Sequence, residues 1–365
     1  MTTNSKRDVS LYIHFPFCVK KCAYCAFFSA PCKSEELKDE YERAVIRRID
    51  SLPGINLKTV YFGGGTPTVM GSARLRRIIE SIFKKYEISA NTEITLEANP
   101  GTVTAEDLYE LRGTGFNRLS LGMQSANDVT LGIMGRVHDN ATFLQCYSDA
   151  RRCFDNISLD AIFGVPGDDF TATVKQMTEL EPEHVSAYSL TLEEGTPMYD
   201  DRERFVFPDE NEEYAQYETL CGELRAHGYD HYEISSFAKP GYRSVHNSSY
   251  WRRGEYIGIG PGAHSFYLSR RFETPKDTLR FIKRSILPFL SDTDYETALP
   301  LSAEESEEER IMLGLRLADG VKLPKDKTEK AKKFAESGFG TFKDGVFALN
   351  ETGFRVSNAI IAELI

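Results

Sequence analysis

Cys18, Cys22 and Cys25 stand within eight residues in the run HFPFCVKKCAYCAFFS, spaced C-x3-C-x2-C. Three thiolates this close can ligate three irons of a 4Fe–4S cube and leave the fourth iron open to an outside ligand. Such a cluster is a chemical centre and not only an electron store. Cysteine triplets also bind zinc, but structural zinc needs a fourth protein ligand. His14, four residues ahead of Cys18, is the candidate, and it would have to bend back from what reads as a strand. A disulfide framework does not suit seven cysteines, an odd number, in a chain whose first residues, MTTNSKRDVS, hold no secretory apolar segment.

The 365 residues leave room for one large α/β barrel and an appendage. Apolar residues make up 41%, enough for a substantial core, yet no run is long enough for a membrane span. A cytoplasmic location is expected, which suits reduced thiols. The net charge of −11 speaks against nucleic acid as a partner, because phosphate binding needs a concentrated basic face. Arg74, Arg76 and Arg77 fall on a predicted helix and read as solvated. The acidic run 304–309 reads as the start of a helix, where the macrodipole favours it.

Short β-branched runs alternate with helix-period segments through the first two-thirds. Strands are predicted at 9–15, 59–62, 93–98, 118–121, 158–163 and 184–190. Helices are predicted at 34–51, 73–86, after Thr104, at 140–153, after Asp169 and at 211–226. Six strand–helix units imply a parallel sheet, since parallel strands need crossover connections. The expected fold is α/β, a partial (βα)6 barrel over residues 1–230. Residues 231–290 are expected to connect it, through a strand at 231–237 and a helix at 276–289, to a mostly helical domain at 291–365 with a hairpin at 342–350. Functional groups of such barrels collect at the C-terminal ends of strands. The three cysteines, Gly63–Gly65, Glu97, Gln124 and Asp160 all fall at or near such ends.

The GGGTPT run at 63–68 follows the second strand. Glycines there let the backbone approach a ligand closely, though a tight strand-to-helix turn would use them equally well. Taken together, C-x3-C-x2-C after the first strand and GGGTP after the second resemble the radical S-adenosylmethionine (SAM) superfamily. YIHFPFCVKKCAYCAF, YFGGGTPT, LEANP, LGMQS, LDAIFGVPG and HNSSYW resemble its coproporphyrinogen-dehydrogenase-like branch, over nearly the whole chain. The resemblance implies a 4Fe–4S cluster on Cys18, Cys22 and Cys25, and a SAM chelating the open iron. It implies SAM contacts from Tyr12 and Tyr24 beside the cluster loop, and from Gly64, Gly65 and Thr66 to the methionyl amine. Arg136 would meet the carboxylate, for which guanidinium is geometrically suited. Glu97, Gln124 and Asp160 would meet the ribose hydroxyls and the amine. Asp160 as a backbone cap and Arg136 as a surface cation are the plainer alternatives.

Porphyrin-oxidising members of this branch carry a further cysteine two residues past the third cluster ligand and a longer N-terminal extension. Here Ala26 and Phe27 follow Cys25, and 17 residues precede Cys18. Both departures point to the HemW-type heme chaperones. The resemblance then implies a protein that binds heme and transfers it to an acceptor. The alternative is an oxygen-independent coproporphyrinogen III dehydrogenase, and no catalytic residue is assigned. In HNSSYW, His246 is a candidate iron ligand, while Tyr250 and Trp251 would pack on a flat macrocycle. A hydrogen-bonded histidine and a core tryptophan are the alternatives. The expected partners are a heme or porphyrin, an unidentified heme acceptor, a protein reductant and a second copy in a homodimer. Cys32 breaks the cluster spacing. Cys146, Cys153 and Cys221 read as small buried apolar groups, and His184 and His231 as structural histidines.

Overall fold

The structure, a computed structural model, describes residues 6–289, 296–297 and 300–365. Six parallel strands form its centre: β1 (Asp8–Phe15), β2 (Asn56–Gly64), β3 (Glu93–Ala98), β4 (Arg118–Gln124), β5 (Ile157–Phe163) and β6 (His184–Ser189). They are neighbours in that order. The crossover helices are α1 (Glu35–Ser51), α2 (Ser72–Lys85), α3 (Ala105–Gly113), α4 (Asn140–Arg151) and α5 (Thr171–Leu180), and α6 (Glu210–Ala226) follows β6. Caps set their starts. The Ser34 side chain accepts from Leu37 N, and Thr104 with Asp107 forms a full capping box.

Each strand alternates with a period of two, and the two faces carry different chemistry. Val9, Leu11, Ile13 and Phe15 of β1, Val60 and Phe62 of β2, Ile94 and Leu96 of β3, and Leu119 and Leu121 of β4 join one apolar core with the helices. The alternate positions carry polar groups instead: Ser10, Tyr12 and His14; Thr59 and Tyr61; Glu93, Thr95 and Glu97; Arg118 and Ser120; Ser158 and Asp160; His184 and Ser186. Arg118 is 1% exposed.

The segment expected to connect two domains instead extends this sheet at both edges. Ser236–Ala238 pairs antiparallel with β6 and then with Asp230–Glu233. Tyr256–Ile259 pairs parallel with β1, followed by antiparallel His264–Tyr267, Arg270–Glu273 and Glu296–Thr297, giving twelve strands. The single strand expected at 231–237 is thus a hairpin folded at Ile234–Ser235, and the helix expected at 276–289 is the shorter Thr278–Arg284. Four-residue strands are too short to register as periodic segments.

The C-terminal lobe has its own core of Ile311, Leu315, Phe347, Leu349, Phe354 and Ile360. Its helices Ala303–Gly314, Thr328–Glu336, Glu351–Arg355 and Ser357–Leu364 surround a three-stranded antiparallel sheet. The expected hairpin is Gly340–Lys343 with Val346–Leu349, turning on Asp344 and Gly345, both at positive φ (53° and 81°). That is the Asp-Gly turn that matches strand twist.

Phe62 is fully buried, stacked on Phe15 at 5.5 Å between ring centroids and edge-on to Phe116 at 4.9 Å. Phe62→Ala is expected to destabilise the chain by about 3–5 kcal/mol, measured by urea unfolding.

Candidate functional site

The cysteine loop leaves the end of β1 and is closed at its root by a pair of two-residue strands, Phe17–Cys18 with Ala30–Pro31. It is pinned again at its middle. Ala23 N donates to Met134 O at 2.9 Å, and Met198 N donates to Ala23 O at 2.9 Å. Gly135 (φ 71°) must be small here, because a Cβ would come 3.2 Å from Ala23 N. All three cysteines are free, Cys18 buried and the other two half-buried.

Their three sulfurs do not all lie within 4.8 Å of one another. A single tetrahedral zinc would hold its sulfurs roughly 3.8 Å apart. Three free thiols at one cavity wall are the donor chemistry that a 4Fe–4S cube takes. His14 cannot complete a zinc site, because both ring nitrogens are engaged. Tyr12 Oη lies 3.0 Å from Nδ1, and Phe28 O lies 2.8 Å from Nε2.

A chain of donors reaches two of the sulfurs. Arg136 Nη1 donates to Cys22 Sγ at 3.4 Å, while Nη2 donates to Gly122 O at 3.1 Å and to Asn99 Oδ1. Asn99 Nδ2 donates to Thr66 Oγ1 at 2.8 Å, and Thr66 Oγ1 donates to Cys18 Sγ at 3.6 Å. Asn99 was missed by the sequence reading, which took only Glu97 from LEANP. Its place just past a strand end was the available signal.

Beside the loop opens a cavity of about 450 Å³. Its walls include Tyr24, Gly64, Gly65, Thr66, Glu97, Gln124, Arg136 and Asp160 together with all three cysteines. Glu97 accepts from Tyr61 Oη at 2.7 Å and from Gly64 N at 3.1 Å. Burial lifts its carboxyl to about 7. Asp160 accepts from Ser120 Oγ at 2.9 Å, and burial lifts it to about 6. Gln124 sits at a register shift between β4 and β5 with φ 65°, a bulge that turns the strand end at the cavity wall. Tyr12 stands outside this set. Its hydroxyl is on His14 and its ring packs 6.0 Å from Tyr61.

The structure does not bring His246, Tyr250 and Trp251 to the cavity, although Asn247 between them does line it. HNSSYW forms the helix Val245–Trp251, capped by Ser244. His246 is 1% exposed and stacks on Tyr61 at 4.7 Å. Its Nδ1 lies 2.7 Å from Thr59 Oγ1 and its Nε2 lies 2.7 Å from Tyr250 Oη, so neither nitrogen is left for a metal in this arrangement. Burial pushes this imidazole down to about 3, which keeps it neutral. Trp251 packs beside Tyr232, Ala238 and Leu317, under the Arg316 guanidinium at 4.3 Å.

The family model for the radical SAM superfamily matches residues 12–180. A protein named "Heme chaperone HemW" from Bacillus subtilis is 35% identical over 349 residues, covering 93% of this chain and 89% of that protein. This chain belongs to the HemW family. A second HemW, from Escherichia coli, is 37% identical over 264 residues, covering 70% of this chain and 69% of that protein. Among solved structures, the E. coli coproporphyrinogen III oxidase HemN, described as a radical SAM enzyme, superposes with a TM-score of 0.82. It covers 98% of this chain and 90% of that chain at 19% identity, which shows a shared fold. The radical SAM membership of this HemW family chain implies a 4Fe–4S cluster and SAM, and three free thiols on the cavity wall are the donors the first needs.

Cys22→Ala is expected to abolish iron and sulfide uptake on anaerobic reconstitution, whereas Cys146→Ala, in α4, keeps it. Elemental analysis of both variants decides this. A pH effect follows from Glu97, whose folded value of about 7 lies above its ordinary 4.5. As pH rises from about 4.5 to about 7 the unfolded chain releases this proton first, so the stability that protonation gives is progressively lost. Without cluster or nucleotide, the urea midpoint of the wild type is expected to fall across that window more steeply than that of Glu97→Gln.

Proposed function

We propose that this chain is a heme chaperone that holds one heme and delivers it to an acceptor protein. The observation that carries this reading is the likeness, at 34–37% identity, to HemW proteins that are named heme chaperones. Position 27 supports it. A phenylalanine, 67% exposed, stands on the cavity rim next to the cluster loop, so no fourth thiol is available there for porphyrin oxidation. The likeness to HemN concerns fold and does not favour the decarboxylase alternative.

In this reading Cys18, Cys22 and Cys25 hold the cluster, with Arg136 and Thr66 donating to its sulfurs. Gly64, Gly65 and Thr66 would face the methionyl amine of SAM, and Arg136 its carboxylate. Glu97, Gln124 and Asp160 would accept from its amine and ribose hydroxyls. A bound cluster would supply an electron for SAM chemistry, and the protein's own residues would supply position and water exclusion. A protein reductant, an acceptor for the heme and a second copy of the chain are the proposed partners. No helix among the described residues is long and apolar enough to cross a membrane.

The test is a heme titration followed by absorption, run beside an anaerobic coproporphyrinogen assay. Saturable uptake of one heme per chain without decarboxylation is expected, and efficient decarboxylation would overturn the reading. Because both nitrogens of His246 are engaged, His246→Ala is expected to lower the melting temperature while the folded fraction keeps its heme affinity. Loss of heme affinity at unchanged melting temperature would instead make His246 a ligand.

A further inference from the structure

A second group of side chains with metal-ligand chemistry lies outside the cluster-loop cavity, where the barrel meets the C-terminal lobe. Cys221 comes from α6, His231 from the strand Asp230–Glu233, and Glu351 opens the helix Glu351–Arg355 of the lobe. One ligand atom from each lies within 4.8 Å of the other two, and among the described residues this is the one trio so placed. From these three we infer a zinc site that ties the lobe to the barrel.

The histidine carries the argument furthest. Its side chain is only 7% exposed, and its Nδ1 is buried without a hydrogen-bond partner, 3.8 Å from Glu351 Oε1. Nε2 lies 3.2 Å from Ile234 O. The Tyr217 hydroxyl lies 3.5 Å from the same nitrogen, so both polar neighbours within hydrogen-bond reach of the ring are on its Nε2 side, and Nδ1, on the side of Glu351, is the nitrogen a metal would take. A metal-ligating histidine is commonly fixed in this way by a backbone carbonyl on its other nitrogen. The ring cannot swing away. Phe237 stacks on it at 4.1 Å between centroids, and Phe354 meets it edge-on at 5.0 Å.

The other two donors are similarly arranged. Arg225 Nη2 occupies Glu351 Oε2, which leaves Oε1 for the metal. The Cys221 thiol is buried and faces the other two donors. A cavity of about 350 Å³ opens beside two of the three donors, Cys221 and Glu351, with Tyr217, Arg225 and Arg355 also on its wall. One thiolate, one imidazole and one carboxylate suit zinc better than the hard cations that prefer all-oxygen sites. Tetrahedral zinc places its ligand atoms roughly 3.5 Å apart, so none of the three pairs, all within 4.8 Å, needs a large movement to close on the ion.

The test loads the full-length, anaerobically reconstituted protein with Zn²⁺ and measures zinc, iron and sulfide after dialysis. Affinity is read by competition with a chromophoric chelator. One zinc per chain is expected beyond the cluster iron. Cys221→Ser and Glu351→Gln should each weaken zinc binding at least tenfold and leave iron and sulfide unchanged. Glu351→Gln, at a partly exposed position, guards against a folding failure of the buried cysteine variant. Cys22→Ala should keep the zinc while losing the iron. Zinc that is absent, indifferent to both first substitutions, or lost together with Cys22 would overturn the inference.

Discussion

The constraint on which this molecule rests is the two-residue alternation of its six parallel strands. Outward positions feed one continuous apolar core with the helices, and inward positions carry Tyr61, Glu97, Arg118, Ser120 and Asp160. A slip of one residue in any strand would put carboxylates against leucines and turn valines into the cavity. Register and site are therefore a single property. The register sets Glu97 beside Ser120 and Ser120 beside Ser158 on adjacent strands, which gathers these polar groups into one layer.

A polar barrel interior is expensive to build, since buried polar groups need partners. Here most are partnered by one another, as with Asp160 and Ser120 or His184 and Ser158. The cluster loop exploits the same economy at the rim. It has little secondary structure of its own, and it takes its shape from Met134, Met198, Arg136 and Thr66, which three different segments deliver to the mouth.

Much of this was legible beforehand for a physical reason. Strand ends and glycine-rich turns are local patterns, so the cysteines, Gly64–Thr66, Glu97 and Asp160 could be placed at one rim from the chain alone. What escaped was non-local. The edge strands beyond residue 230 are four residues or fewer and gain their identity only from a partner. Gln124 was placed at a strand end too, but the bulge that carries it to the wall is announced by no periodicity. His246 looked like a ligand because its motif is aromatic-rich, yet Thr59, 187 positions earlier, takes one of its nitrogens. His231 and Cys221 each read as unremarkable, because the carboxylate between them lies more than a hundred residues downstream.

The placement of Tyr256–Ile259 against β1 also bears on how the chain comes off the ribosome. The first strand synthesised has one flank open until some 240 residues later, when its second neighbour emerges. Contacts of such long range raise contact order and slow the final closure. Meanwhile the nascent barrel exposes an unpaired edge and a naked trio of thiols, a state open to misassembly and oxidation. For this topology, the safest moment to install iron and sulfide comes after translation has passed the last of these edge strands.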